Sequence, residues 1–150
     1  FFIYDVEYIK LNDNLVVDNT VGVHLSAGST RNEVEGNDFI GNREQVRYVG
    51  ARDERWGQLR GNYWSNYLGW DRDNDGKGDV QYEANDMVDR LTWRHPSIKL
   101  LLASPAVQAL RLVGQQFPIL RVPSVVDPHP RMRPHHEDWS QWRGKHFPGQ

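Results

Sequence analysis

The chain has 150 residues, a formal net charge of −2, 38% hydrophobic residues, six tryptophans and no cysteine. That is one domain's worth of chain with enough apolar content for a core, and no charge excess that would draw it to nucleic acid. Disulfides and thiolate metal sites are excluded, and no apolar run is long enough to cross a bilayer. FFIY at 1–4 runs at once into Asp5 and Glu7, with no basic flank and too little length for a signal peptide. With no initiator Met, the chain is expected to begin inside a longer protein.

The first third repeats. NLVVDN at 14–19 recurs as NDFIGN at 37–42, a shift of 23 residues that also carries Leu11 onto Val34, Val16 onto Phe39, Val23 onto Val46, Leu25 onto Tyr48 and Phe2 onto Leu25. A period of this size marks stacked units, none of which can bury its apolar face alone. The segments within a repeat are short and β-branched, divided by Asn, Gly and Ser turns. Three such strands plus turns make one coil of a parallel β-helix, right-handed by the crossover rule. Val16, Val23, Leu25, Val34, Phe39, Val46 and Tyr48 are expected to line its interior. Asparagine suits the corners because it tolerates positive φ and its amide can bond the Asn one coil away. Asn14 with Asn37 and Asn19 with Asn42 are therefore ladder candidates, and Asn32, Asn62 and Asn66 read the same way. Gly61-Asn62 echoes Gly36-Asn37 at 25 residues, which predicts a last, distorted coil displaced by an insertion at 50–60.

Residues 61–79, GNYWSNYLGWDRDNDGKGD, end in alternating carboxylates broken by glycine. In a tight turn these side chains converge. At an effective dielectric near 20 and about 5 Å apart, each pair repels by roughly 3 kcal/mol, which a cation would offset. Counting Asp71 as the first position of a calcium loop, Asp73, Asp75, Gly76, Lys77 (through its carbonyl) and Asp79 fall at positions 3, 5, 6, 7 and 9. Position 12, where a bidentate Glu belongs, is Tyr82, and Glu83 is one residue late. The pattern predicts a structural clip for a hard cation, with Asp71, Asp73, Asp75, Lys77 and Asp79 as ligands and calcium as the ion.

Beyond the turn the pattern becomes helical. Ser104-Pro105 reads as an N-cap and first helical residue, and Ala106, Ala109, Leu110, Val113 and Phe117 follow helical spacing. With a short helix at 98–102, this forms a predicted cap over the open end of the solenoid, whose edge would otherwise pair with another chain. Six of the eight prolines lie from Pro118 to Pro148, which predicts an extended arm lying on some surface, with Trp139 and Trp142 docking it. The domain reading is coils at 1–66, metal loop and cap at 67–120, and arm at 121–150. The arm gathers His129, Met132, His135 and His136 within eight residues, imidazole and thioether donors of the type copper takes.

Three segments together, GNYWSNYLGWDRDNDGKGD at 61–79, LLLASPAVQAL at 100–110 and FPIL at 117–120, resemble the C-terminal portion of the NosD family, the periplasmic β-helix proteins of nitrous oxide reductase maturation. The resemblance runs from the Asn-rich repeats to about residue 127. It implies a non-enzymatic periplasmic accessory protein, held at the membrane through its partners: subunits of an ABC-type transporter, a copper chaperone and nitrous oxide reductase itself. Calcium would be structural and copper a passing cargo. A rival reading is a β-helix that binds or cleaves polysaccharide. Asp53 and Glu54 would be its carboxylate pair and Trp56 its sugar-stacking ring, with a lyase drawing on Arg72 or Lys77 as base. An adhesin-like β-helix is a third.

Overall fold

The computed structural model describes residues 1–26, 28–50, 52–84, 104–106, 109 and 124–141. The first nine strands are two to five residues long: β1 (Phe2–Ile3), β2 (Lys10–Asn12), β3 (Leu15–Val17), β4 (Val21–Leu25), β5 (Glu33–Glu35), β6 (Asp38–Ile40), β7 (Glu44–Tyr48), β8 (Glu54–Arg55) and β9 (Tyr63–Trp64). Apart from β8, each pairs with its equivalent one coil away rather than with its neighbour in sequence. Three parallel sheets result, ordered β1-β4-β7, β2-β5 and β3-β6-β9. The fold is all-β and β-helix-like.

Register follows the 23-residue repeat: Leu11 opposes Val34, Val16 opposes Phe39, Val23 opposes Val46 and Leu25 opposes Tyr48. The expected pairing of Phe2 with Leu25 does not occur. Ile3 takes that place, buried at 6% exposure, while Phe2 opposes His24 and stays 68% exposed. The corner at 26–32 is one residue longer than the corner at 4–9, so the repeat shift drops to 22 at this sheet. In a strand, one residue of slip exchanges the inner and outer faces. Val16, Val23, Leu25, Val34, Phe39 and Val46 are buried, and Tyr48 is half-buried against them.

The corners divide their work between two residues. Positive φ belongs to the residue before each asparagine, not to the asparagine as the sequence suggested: Asp13 (56°), Gly36 (66°) and Gly61 (65°) on one edge, Asp18 (54°) and Gly41 (64°) on the other. The asparagines form the ladder. Backbone and side-chain N–H groups of Asn14 both donate to Asn37 Oδ1 at 3.0 Å. Asn37 donates in the same way to Asn62 Oδ1, and Asn19 to Asn42 Oδ1. Asn32 Oδ1 accepts from Ile9 N–H, and Asn66 Oδ1 from the Tyr82 hydroxyl.

The β2-β5 sheet stops at two strands because a side chain takes the third place. Gly57 N–H still reaches the Val34 carbonyl, but the N–H groups of Gln58, Leu59 and Arg60 then turn onto the buried carboxylate of Glu35. The insertion at 50–60 thus carries β8 away from this stack and into another sheet. There β11 (Val125–Asp127) lies between β8, to which it is parallel, and β10 (Tyr82–Glu83), to which it is antiparallel.

Residues 124–127, assigned from composition to an extended arm, are therefore core: Val125 and Asp127 are fully buried. The chain goes on to add a further rung to the stack. Arg131 bridges Tyr63 in parallel, and its N–H reaches the Asn62 carbonyl at 2.8 Å, as Tyr63 N–H reaches Asn37. Proline-rich composition hid this, since Val125-Val126 is too short a run to announce a strand. Of the predicted cap only 104–106 and 109 are described, with Pro105, Ala106 and Ala109 helical. The rest of that segment, and Trp142, lie outside the described residues.

Gly61 tests the added rung. Its φ is +65°, and a Cβ there would collide with the His129 carbonyl oxygen. Gly76, at φ +85°, has nothing within 4 Å of the same position. Gly76→Ala should cost only the left-handed strain of about 1–2 kcal/mol. Gly61→Ala should cost that plus displacement of residues 129–131, at least about 2 kcal/mol more. Urea midpoints measure both, and equal losses would mean that residue 129 does not pack on this corner.

Candidate functional site

Two clusters lie on this frame. The first is the acidic turn. Asp71, Asp73 and Asp75 each place a carboxylate oxygen within 4.8 Å of the others, Asp71 half-buried and the other two exposed. Backbone N–H groups hold the turn in shape: Gly76 donates to Asp71 Oδ2 (2.9 Å), Lys77 to Asp75 Oδ1 (2.8 Å), and Asp75 to oxygens of Asp71 and Asp73. Asn74 and Gly76 supply the positive φ that closes it.

Three of the five expected ligands are thus together in side-chain terms. Asp79 is not among them, because its Oδ2 accepts the Arg72 N–H at 2.7 Å. Lys77 pairs antiparallel with Arg131 through Gly78 N–H to the Pro130 carbonyl and Met132 N–H to the Gly76 carbonyl. In that pairing Lys77's own N–H turns away from the partner strand and donates to Asp75 Oδ1 in the acidic turn. Tyr82 cannot close the loop. It is 2% exposed, stacked on Trp64 with ring centres 4.4 Å apart. Three carboxylates gathered this closely could hold a hard cation.

The second cluster contains a residue that no sequence motif singles out. Asp38, in β6, is fully buried because residues 134–137 fold across it. Its Oδ1 accepts His135 N–H at 2.9 Å, and its Oδ2 accepts both His136 N–H at 2.7 Å and His136 Nδ1 at 2.8 Å. Nδ1–H is the donor to the carboxylate, which leaves Nε2 outside this contact. The two imidazoles stand edge to face, 5.3 Å between centres. No local signal marks Asp38, since its partners lie 97 and 98 residues away.

The four copper candidates do not gather. Among the described residues the acidic turn alone brings three His, Asp or Glu side chains to a common centre, so His129, His135 and His136 do not converge. His129 is exposed, its N–H donating to Asp127 Oδ1. Met132 lines a cleft of about 790 Å³ with Asp71, Asp75, Lys77 and Arg133. Only His135 and His136 come together. The sugar-enzyme set fares worse: Trp56 is fully buried beside the Phe39–Trp64 stack, 6.4 Å from each ring, where no sugar reaches its face, and Asp53 Oδ1 accepts the Ser124 N–H.

Parallel three-faced coils, an asparagine ladder and an acidic turn at the end of the stack define a β-helix-type solenoid protein. Residues 1–69 match the family described as "Periplasmic copper-binding protein (NosD)". The chain is 53% identical over 133 residues, 88% of its length, to the "Probable ABC transporter binding protein NosD" of Pseudomonas aeruginosa, and 48% identical over 133 residues to the protein of the same name from Stutzerimonas stutzeri. The chain belongs to the NosD family. It spans 31% and 30% of the length of these two relatives.

Proposed function

We propose that this chain is part of a non-enzymatic periplasmic accessory protein that handles copper for the maturation of nitrous oxide reductase, working with an ABC-type transporter. The observation that carries the reading is the relation over 88% of the chain to proteins named as ABC transporter binding protein NosD, together with the family's description as periplasmic and copper-binding. Transporter subunits, a copper chaperone and the reductase are the partners, and the protein reaches the membrane through them. A rigid solenoid suits such a part, because it presents side chains at fixed spacing without having to close over a substrate. The test is to purify the intact protein from membranes with its bound partners, and to measure copper in reductase from cells that lack it. Absence of transporter subunits and fully loaded reductase would refute the proposal.

Calcium at the acidic turn is the structural part of this reading. The turn is clasped to residues 130–132, so a cation at Asp71, Asp73 and Asp75 would stiffen the last rung. Millimolar Ca²⁺ is expected to raise the melting temperature of the intact protein, and Asp73→Ala with Asp75→Ala to abolish the rise. An unchanged rise in the double variant would place the ion elsewhere.

A further inference from the structure

The Asp38–His136 contact is built as metal-binding imidazoles are built. A ligating histidine gives its second ring N–H to a carboxylate, which fixes the tautomer and aims the other nitrogen. Here the carboxylate is fully buried and is itself held by two backbone N–H groups. All three of these contacts occupy Asp38 oxygens, so Asp38 positions and does not ligate. His136 is the oriented donor, its side chain about one-third exposed at 30%. His135 stands beside it at a useful distance. A metal–nitrogen bond of about 2 Å places a ring centre about 3.2 Å from the ion, so two imidazoles on one tetrahedral ion have centres roughly 5–5.5 Å apart. The observed separation is 5.3 Å.

We propose that His136 and His135, with Asp38 as the positioning carboxylate, form a copper-transfer site whose remaining coordination positions are filled by donors of a partner protein. The proposal rests on the copper reading above and gives it an address. Imidazole suits copper, and among the described residues no third His, Asp or Glu closes the site. An ion held by two protein ligands keeps open positions. It enters as the supplying protein's thioether or imidazole donors are displaced by His136 and His135, and it leaves by the reverse exchange, with no change of valence. Its carboxylate sits on β6, on the fixed lattice of the coils, and clasps the backbone of both histidines, so the geometry does not depend on the partner.

The experiment is a competition titration of the intact protein with Cu(I) against bicinchoninate under anaerobic reducing conditions, with X-ray absorption to count nitrogen ligands. His136→Asn is the informative variant. Its amide can still donate to Asp38 from where Nδ1 stood, while the Nε2 ligand is gone. Melting temperature should hold, and copper affinity should fall by at least about 100-fold. Asp38→Asn should weaken binding by about 10- to 100-fold, the usual effect of losing an outer-shell partner. His135→Ala should lower the nitrogen count by one. If His136→Asn and His135→Ala bind copper as the unsubstituted protein does, the site is wrong while the copper function stands. If the unsubstituted protein takes up no copper, the function proposed above falls with it. Should an Asp38 variant unfold, His136→Asn still decides between these outcomes, because its bond to Asp38 is kept.

Discussion

Phe39→Ala is expected to destabilise the protein by about 3–5 kcal/mol. Phe39 is fully buried on β6, in the middle of the coil interior. Its ring stacks on Trp64 at 4.4 Å and lies 6.4 Å from Trp56, and Trp64 in turn stacks on Tyr82 at 4.4 Å. One truncation therefore opens a cavity in the column linking the second coil to the third and to β10. Flat rings in parallel contact cannot slide to fill it without losing their own stacking. Leu59, at 80% exposure, is the control, and Leu59→Ala should stay within about 0.5 kcal/mol. Urea denaturation measures both. Comparable losses would mean that the interior is not continuous.

Asp127→Ala should cost at least about 3 kcal/mol, for a different reason. The asparagine ladder runs from Asn14 through Asn37 and Asn62 and then stops on a carboxylate. Asp127 Oδ2 accepts Asn62 N–H (2.8 Å), Asn62 Nδ2 (3.0 Å) and Trp64 Nε1 (3.0 Å), and Oδ1 accepts His129 N–H (3.1 Å). Removing it strands three donors inside the protein, each worth about 1–3 kcal/mol when unpaired, though not additively, while the N–H of exposed His129 can turn to water. Asp127→Asn should cost less, about 1–2 kcal/mol, since an amide oxygen can serve Asn62 as it does on the other rungs while the NH₂ group faces another donor.

Burial raises the pKa of Asp127, outweighing the hydrogen bonds from Trp64 and Asn62 that pull it down. A carboxyl whose folded value is raised stabilises the fold most below its unfolded value, and that contribution is lost as pH rises through the folded value. The deficit of Asp127→Ala should therefore widen as pH falls from neutrality towards the ordinary carboxylate range. A deficit that narrows on acidification would contradict this sign.

What the sequence made legible follows from range. Leu11, Val16, Val23, Asn14 and Asn19 repeat at one spacing, because each rung must offer the same face to the next, and so the register could be read. A single extra residue in the corner at 26–32 was enough to hide that Ile3, not Phe2, points inward. Asp71, Asp73 and Asp75 converge through a turn of a few residues and were legible for that reason. Asp79 was not, because an N–H seven residues back competes for its carboxylate. His136 could be named as a donor, but nothing near it in sequence says that Asp38 aims it. Trp56 looked like a surface ring only because its two neighbours, Phe39 and Trp64, come from other rungs.

The rung formed by residues 127–131 has a consequence for the order of assembly. Every other ladder contact joins residues 23 or 25 apart, whereas Asn62 waits for a partner 65 residues further along the chain. As the polypeptide is made, the earlier coils can zip as they emerge, each on the one before. The edge at Asn62 and Tyr63 then stays bare until residue 131 has followed. Contacts of such separation form late and slowly, and a bare strand edge pairs with whatever chain is nearest. A nascent chain halted between 66 and 126 is therefore the form most prone to aggregate, and arrival of Asp127 is the step that makes the fold safe.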